Sequence, residues 1–206
     1  MKPADQKIYL ASKSPRRREL LRQVGVEFQL LMLRESPERG PDISEAVIPG
    51  EAAIDYVIRV TREKLALAEK AMYWRRLPVR PILTADTTVT IDDTILGKPA
   101  NRDEAIAMMR LLSGRTHQVM TSVAVRTTDD MWQSTNVSSV TFATLTEQQI
   151  RNYCALPEPY DKAGGYGIQG QAAAFIAEIS GSYSGIMGLP LHETAQLLEQ
   201  AGIRIL

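Results

Sequence analysis

Cysteine and histidine are both scarce in this chain of 206 residues, which has one cysteine and two histidines. A lone cysteine, Cys154, excludes an intrachain disulfide, and so few thiol and imidazole groups exclude a zinc cluster built from them. An excess of one charge is also missing, because 24 Lys and Arg residues balance 24 Asp and Glu residues. The chain therefore lacks the global basic surplus that holds proteins on duplex DNA or anionic membranes, and any polyanion site must be local.

Long hydrophobic runs are absent from the N-terminal stretch MKPADQKIYLASKSP, whose apolar run has only four residues. That run is too short for a secretory signal or a membrane span. We therefore expect no targeting segment and predict a cytoplasmic protein, which agrees with the single cysteine. With 44% hydrophobic and 23% charged residues, residues 1–206 can bury the core of a single domain.

Short apolar runs alternate with helical patterns along the chain, which predicts a mixed α/β fold. KIYLA is typical of a buried strand, and PRRRELLRQVGV of a helix that follows it. Residues 34–50, rich in Pro, Gly and charge, predict a loop. The long helix GEAAIDYVIRVTREKLALAEKAM comes next, and its predicted apolar stripe is formed by Tyr56, Val60, Leu67 and Ala71.

Turn and cap signals divide the second half of the chain. RPILTADTTVTIDDTILGKP predicts a buried strand and a hairpin with its turn at Asp92 and Asp93. THQVMTSVAVRTT and NVSSVTFATL predict two more strands, AAFIAEISGSYSGIMG is strand-like, and PLHETAQLLEQAG predicts a last helix. Two helices between these segments open on predicted capping boxes: Asn101 with Glu104, and Thr146 with Gln149.

The stretch LASKSPRRREL places three arginines, residues 16–18, in the first turn of a helix that Ser14 is predicted to cap. Each cation there opposes the helix dipole by about 0.3–1 kcal/mol, so the arrangement is favourable only if an anion binds. Arg17 precedes Leu20 and Leu21 by three and four residues, so it should point inward and line a cleft. A phosphate or carboxylate site is one interpretation, and a solvated basic turn is the other.

Asp86 interrupts the apolar strand LTADTTV. Burying an aspartate without a partner is costly, so Asp86 should be paired, bound to a metal ion, or close to the end of a strand in a cleft. A carboxylate in such a place can hold magnesium or accept a proton from water. An aspartate that caps a turn through DTT is the alternative. Lys98 in GKP and Lys64 in REKLAL can reach phosphates from nearby segments, or lie on the surface as most lysines do.

The glycine-rich segment EPYDKAGGYGIQG matches neither GxxxxGK[ST] nor the strand-to-helix GxGxxG pattern. Its polar residues are more informative, because Lys162 can neutralise a phosphate and the Gln169 amide can pair with the edge of a nucleobase. An ordered loop whose polar groups are all satisfied is the alternative. His117 and His192 are too far apart in sequence to indicate a metal pair, and we predict structural roles for both.

Six segments in order, LASKSPRRRELL, ADTTV, GKP, LSGRTHQVMT, EPYDKAGGYGIQG and GSYSGIMGLPLHET, closely resemble the motifs of the Maf family of nucleoside triphosphate pyrophosphatases. The resemblance extends over nearly the whole chain. It implies a fold like that of the house-cleaning inosine triphosphatases, with an elongated mixed β-sheet, flanking helices and two lobes around a central cleft. It also implies cleavage between the α- and β-phosphates, with a divalent cation, Mg²⁺ or alternatively Mn²⁺.

The resemblance implies roles for individual residues. Asp86 matches the family's proposed proton acceptor and is expected to bind the metal. Three positions resemble determinants of substrate specificity: Arg16, Thr87 and Gln169. Five resemble polar positions around the phosphates: Ser12, Arg17, Lys64, Lys98 and Lys162. The short DE-type acidic motif that follows the first helix in the family is replaced here by the longer LRESPERGPDISE, with three candidate acids: Glu35, Glu38 and Glu45.

Gln169 indicates the substrate branch. The family divides into a branch acting on dTTP and UTP and one acting on 7-methyl-GTP, which carries glutamate at the place of Gln169. A carboxylate suits the two N–H donors of guanine, whereas an amide suits the N3–H and carbonyl of uracil or thymine. We therefore predict dTTP and UTP as substrates, with a 7-methyl-GTP pyrophosphatase or a nucleotide-sensing septum regulator as alternatives. We expect no stable nucleic-acid or membrane partner, and the sequence leaves a homodimer open.

Overall fold

The structure, a computed structural model, describes residues 6–33, 35–36, 40–41 and 45–205. Its strands are β1 (Ile8–Leu10), β2 (Phe28–Leu30), β3 (Glu35–Ser36), β4 (Gly40–Pro41), β5 (Ile82–Ile91), β6 (Thr94–Leu96), β7 (Thr116–Arg126), β8 (Met131–Phe142) and β9 (Ile176–Ser180). Its α-helices are α1 (Pro15–Gln23), α2 (Ala53–Trp74), α3 (Arg102–Leu112), α4 (Glu147–Tyr153), α5 (Tyr183–Ile186) and α6 (Leu191–Gln200). Three short 3₁₀ helices lie between α4 and β9.

Seven of the described strands form one mixed sheet in the order β2-β1-β5-β7-β8-β9, with β6 also paired to β5. Strand β1 runs parallel to β2 and β5, and the other pairs in the sheet are antiparallel. This confirms the predicted mixed sheet with flanking helices. Strands β3 and β4 pair antiparallel within the segment predicted as a loop. The sequence patterns did not indicate the edge strand β2.

One edge of β5 is open in its middle. On that edge β1 pairs only with the first two residues of β5, and β6 pairs with the last three. On the other edge β7 pairs along nearly the whole strand. Among the described residues, no strand covers positions 84–88 on the β1 side. Because this gap lies where β1 leads into α1, side chains from both faces of β5 can reach the same space.

The core is divided around this gap. One cluster, which includes Met109 and Phe142, packs α3 and α4 against the end of β5. A second, which includes Leu10 and Leu198, joins α1 and α6 to the other end of the sheet. Helix α2 packs on the opposite face in two smaller clusters. The predicted cleft is therefore present between separate parts of the core.

The predicted caps at Ser14 and Thr146 and the hairpin turn are confirmed, whereas the predicted box at Asn101 is only half formed, because the Glu104 side chain accepts from the Ala100 N–H instead of the Asn101 N–H. The Ser14 side chain accepts a 3.4 Å bond from the backbone N–H of Arg17, and Asn101 caps α3 in the same way. Both reciprocal bonds of the capping box that begins at Thr146 are present. Asp92 and Asp93 adopt φ values of 48° and 60°, as a tight hairpin turn requires.

The apolar stripe of α2 differs from the prediction in its second half. Leu67 and Ala71 are only half-buried, and the buried stripe continues instead through Leu65 and Met72. This rotation of the helix turns Lys64 toward β5, where it reaches the gap in the sheet. Within the described ranges, no helix is long and apolar enough to cross a membrane.

Candidate active site

A cavity of about 770 Å³ fills the gap beside β5. All nine residues singled out as site residues line it: Ser12, Arg16, Arg17, Lys64, Asp86, Thr87, Lys98, Lys162 and Gln169. Of the three candidate acids, Glu45 also lines the cavity. Glu38 and the side chain of Glu35 lie outside what the structure describes. The fold thus brings together residues that are up to 157 positions apart in the sequence, Ser12 and Gln169 being the extremes.

Asp86 is held by Lys64. The aspartate is 9% exposed, and the Lys64 Nζ donates to its Oδ1 at 2.6 Å. The same ammonium lies 2.7 Å from Glu45 Oε1. One cation from α2 therefore bridges two carboxylates, and the prediction that a buried Asp86 should be paired is confirmed.

The neighbouring groups carry definite protonation states. Burial alone would raise the pKa of Glu45, but the bond from Lys64 and the charges of other cationic side chains outweigh it, so the pKa of Glu45 is lowered. The Tyr56 hydroxyl donates to the Glu45 backbone carbonyl at 3.0 Å. Burial, followed by the negative charges of Asp86 and Glu45, raises the pKa of Tyr56 to about 12. At neutral pH Glu45 is therefore ionised and Tyr56 keeps its proton.

Arg17 points inward as predicted, and most of its donors bind protein acceptors. Its Nε donates to the Gly188 carbonyl at 2.7 Å, its Nη1 to the Ala85 carbonyl at 2.8 Å, and its Nη2 to Thr87 Oγ1 at 3.1 Å. The Ala85 carbonyl lies on the open edge of β5, so the guanidinium takes the place of a strand donor there. Burial lowers the pKa of Arg17, and the Asp86 charge opposes that shift.

Asp86 and Thr87 are consecutive in β5, so their side chains lie on opposite faces of the sheet. Asp86 faces α2 through its bond to Lys64, whereas Thr87 faces α1 through its bond from Arg17. Both nevertheless line the cavity, because the sheet is open at this position. The arrangement gives the cavity two chemically different sides.

The side of the cavity formed by the glycine-rich segment carries a second group of charges. Arg16 Nη1 donates to Asp161 Oδ2 at 3.4 Å, and Lys162 Nζ is bonded to the other oxygen of the same carboxylate. The exposed Gln169 amide makes no hydrogen bond within the described part of the chain. An adjoining cavity of about 460 Å³ is lined by Arg16, Lys162 and Gln169 but not by Lys64. Lys162 therefore lies with the predicted specificity residues.

Two contributors to the site were missed by sequence reasoning. Tyr56 was predicted only as part of the apolar stripe, although its hydroxyl donates to the backbone carbonyl of Glu45, and Gly188 was not predicted to take part. Gly188 has φ +111°, and a Cβ there would lie 3.3 Å from Thr87 Oγ1. Its place in the glycine-rich GSYSGIMG run was the available signal, because a glycine is favoured where φ is positive and a backbone approaches closely.

Comparison with known proteins agrees with the motifs. The family model described as Maf-like protein matches residues 7–201. The chain is 52% identical over 204 residues to the dTTP/UTP pyrophosphatase of Aromatoleum aromaticum, and the alignment covers 98% of each chain. It is 54% identical over 199 residues to the dTTP/UTP pyrophosphatase of Ralstonia nicotianae, covering 96% of this chain and 95% of that one. A weaker structural similarity, with a TM-score of 0.42 and 12% identity, covers 66% of this chain and 72% of the Staphylococcus aureus Ham1 protein. By its family match and its close relatives, the chain belongs to the Maf family.

Proposed function

We propose that this Maf protein hydrolyses dTTP and UTP to the nucleoside monophosphate and pyrophosphate. The observation that carries the proposal is the convergence in one cavity of Asp86, held by Lys64, with the cationic side chains of Arg16, Lys98 and Lys162. Relatives named dTTP/UTP pyrophosphatase, 44–54% identical over nearly their full length, support the same reaction and substrates.

The Asp86 side of the cavity suits the triphosphate. Lys64 and Lys98 supply positive charge there, and the Ser12 hydroxyl can donate to a phosphate oxygen. Asp86 orients a water molecule and accepts its proton while the water oxygen attacks the α-phosphorus. The new P–O bond forms in line with the breaking bond to the β-phosphate, and pyrophosphate leaves with its electron pair.

The opposite side of the cavity suits the base. Gln169 carries an amide N–H that can donate to a carbonyl of uracil or thymine, which leaves the N3–H of the base for a second acceptor in the cavity. Arg16 and Thr87 line the same cavity and complete the set of specificity residues. An amide at this place, where a carboxylate would favour guanine, supports pyrimidine substrates.

The acidic side chains fit a divalent cation, Mg²⁺ or Mn²⁺. Asp86 and Glu45 both contact the Lys64 ammonium, so a positive charge is already accommodated between them. Mg²⁺ in proteins commonly uses one or two carboxylates together with substrate phosphates. Asp86 and Glu45 would hold the cation, which would neutralise charge on the triphosphate.

The test is release of pyrophosphate from dTTP, UTP, CTP, GTP, 7-methyl-GTP and ITP in the presence of magnesium. The wild type should act on dTTP and UTP, and Asp86→Asn should lower turnover by about 10²–10⁴-fold, the usual contribution of a positioned proton acceptor, in a variant whose circular dichroism shows that it is still folded. The matched control is Asp93→Asn in the exposed hairpin turn, which should keep wild-type turnover.

Three results would contradict the proposal in different ways. Near wild-type turnover by Asp86→Asn would show that Asp86 is not the proton acceptor. A wide preference for 7-methyl-GTP would show that dTTP and UTP are not the substrates. No release from any nucleotide assigns the protein to a sensing or partner-binding role.

A further inference from the structure

A chain of hydrogen bonds runs from Arg17 through two threonines to the backbone of α5. Arg17 Nη2 lies 3.1 Å from Thr87 Oγ1, Thr87 Oγ1 lies 2.9 Å from Thr121 Oγ1, and Thr121 Oγ1 lies 2.7 Å from the Gly185 carbonyl oxygen. Thr121 stands directly opposite Thr87 in the pairing of β5 with β7. The two hydroxyls therefore meet on the same face of the sheet.

These contacts have only one consistent direction. A carbonyl oxygen can only accept, so the single proton of the Thr121 hydroxyl goes to Gly185. Thr121 must then accept from Thr87, which commits the only hydroxyl proton of Thr87. The Arg17 guanidinium, which can only donate, takes one of the two lone pairs on Thr87 Oγ1. Thr87 is left with one lone pair and no proton for a ligand.

Thr121 itself is remote from any ligand. It is 1% exposed and is not among the residues that line the cavity, whereas Thr87 is half-buried and lines it. The acceptor at the end of the chain is fixed, because the Gly185 backbone N–H donates to the Ser182 side chain that caps α5. Thr121 can therefore influence a ligand only indirectly, either through Thr87 or through α5, whose residue Ile186 also lines the cavity.

We propose that Thr121 is a positioning residue that fixes Thr87 as a hydrogen-bond acceptor toward the nucleobase. This inference rests on the proposed function, in which Thr87 faces the base. Uracil and thymine carry a hydrogen on N3, whereas cytosine presents a lone pair on the same atom. A Thr87 hydroxyl that can only accept binds the N3–H of uracil or thymine and repels the N3 lone pair of cytosine. The chain of hydroxyls thus selects uridine and thymidine nucleotides over cytidine nucleotides.

The test is the ratio of kcat/KM for UTP to that for CTP, measured in single-turnover reactions with excess enzyme so that slow cleavage of CTP is visible. Thr121→Val keeps the shape but removes the acceptor, which frees the Thr87 proton. The ratio should fall about tenfold, the effect of losing one discriminating hydrogen bond, and Thr121→Ser should restore it. The control is Thr90→Val, a buried hydroxyl of β5 with no partner in the described part of the chain, which should leave the ratio unchanged.

A double variant shows whether Thr121 acts through Thr87. In a Thr87→Val background, Thr121→Val should no longer change the ratio, because there is no hydroxyl left to orient. If Thr121→Val fails to fold, Thr121→Ala carries the same prediction.

A wild-type ratio in the folded Thr121 variant overturns the inference while leaving the proposed function intact. A wild type that releases no pyrophosphate from UTP or dTTP rejects the proposed function, and the inference with it, before any variant is made.

Discussion

Lys64 in the middle of α2 donates a 2.6 Å hydrogen bond to Asp86, the one charged residue of β5. Their side chains are 16% and 12% exposed, so the Asp86 charge depends on Lys64 for its compensation, whereas Lys64 also has Glu45 at 2.7 Å. The contact joins α2 to β5, and both residues line the cavity. It therefore determines both the stability of this part of the fold and the direction in which the Asp86 carboxylate faces.

Lys64→Met should be clearly destabilising, because it leaves Asp86 without its cation. A broken buried pair costs about 3–5 kcal/mol, and contact with solvent in the cavity should reduce the loss here to about 2 kcal/mol. Urea denaturation measures the loss, with Lys70→Met on the exposed face of the same helix as the control. In an Asp86→Asn background the loss should shrink, and fully additive effects would show that the pair is not coupled.

Arg17→Lys should destabilise the protein although the positive charge is kept. A lysine cannot reach the carbonyls of Ala85 and Gly188 and the Thr87 hydroxyl together, so at least one buried acceptor is left unpaired, at a cost of about 1–3 kcal/mol. Thermal or urea unfolding measures this. Arg18→Lys is the control from the same helical turn, since Arg18 makes one exposed bond of 3.4 Å to the Lys13 carbonyl. Equal stability of the two variants would mean that only the charge of Arg17 matters.

Local features of the fold were predictable because they depend on neighbouring residues. The caps at Ser14, Asn101 and Thr146 and the turn at Asp92 need only a few positions of sequence. The strand β2 was not predictable in this way, since it has three residues and lies at an edge of the sheet. The rotation of α2 also escaped prediction, because the choice of buried face depends on what packs against the helix.

The list of cavity residues came from family motifs, but their contacts did not. Arg17 was predicted to point inward toward an anion, and its nearest acceptors instead include carbonyls 68 and 171 positions away in the sequence. In the described part of the sheet, the Ala85 carbonyl has no strand partner because the pairing with β1 ends before it and the pairing with β6 begins after it. This is a property of the sheet topology, and it leaves the carbonyl open to Arg17. Lys64 was ambiguous for a similar reason, because a lysine in an amphipathic helix is usually solvated.

Gln169→Glu should change the base that the protein accepts. A carboxylate has no donor for a pyrimidine carbonyl, so kcat/KM for UTP should fall by about tenfold, while guanine nucleotides, with two N–H donors, should gain. Pyrophosphate release from UTP, GTP and 7-methyl-GTP measures both changes. Gln171→Glu places the same charge two residues away and is the control for a general electrostatic effect. Parallel losses for all nucleotides in both variants would contradict a role of the amide in base selection.

His117 should make the stability of the protein depend on pH in mildly acidic solution. Its ring is buried against Phe142 and lies 2.6 Å from the Tyr166 hydroxyl through Nε2, and Nδ1 has no partner within the described residues. Burial lowers the pKa of His117 from 6.5 to about 4. The unfolded chain therefore binds the proton more readily, so the stability contributed by the neutral ring is complete above pH 6.5 and is lost as the pH falls toward 4. Between pH 7.5 and 5.0 the loss in the free energy of unfolding should be about 2 kcal/mol.

Urea denaturation at both pH values should show this extra loss in the wild type and in His192→Gln, where the ring is exposed, but not in His117→Gln. Parallel pH curves for the three proteins would mean that His117 can take up its proton in the folded state as easily as in the unfolded chain.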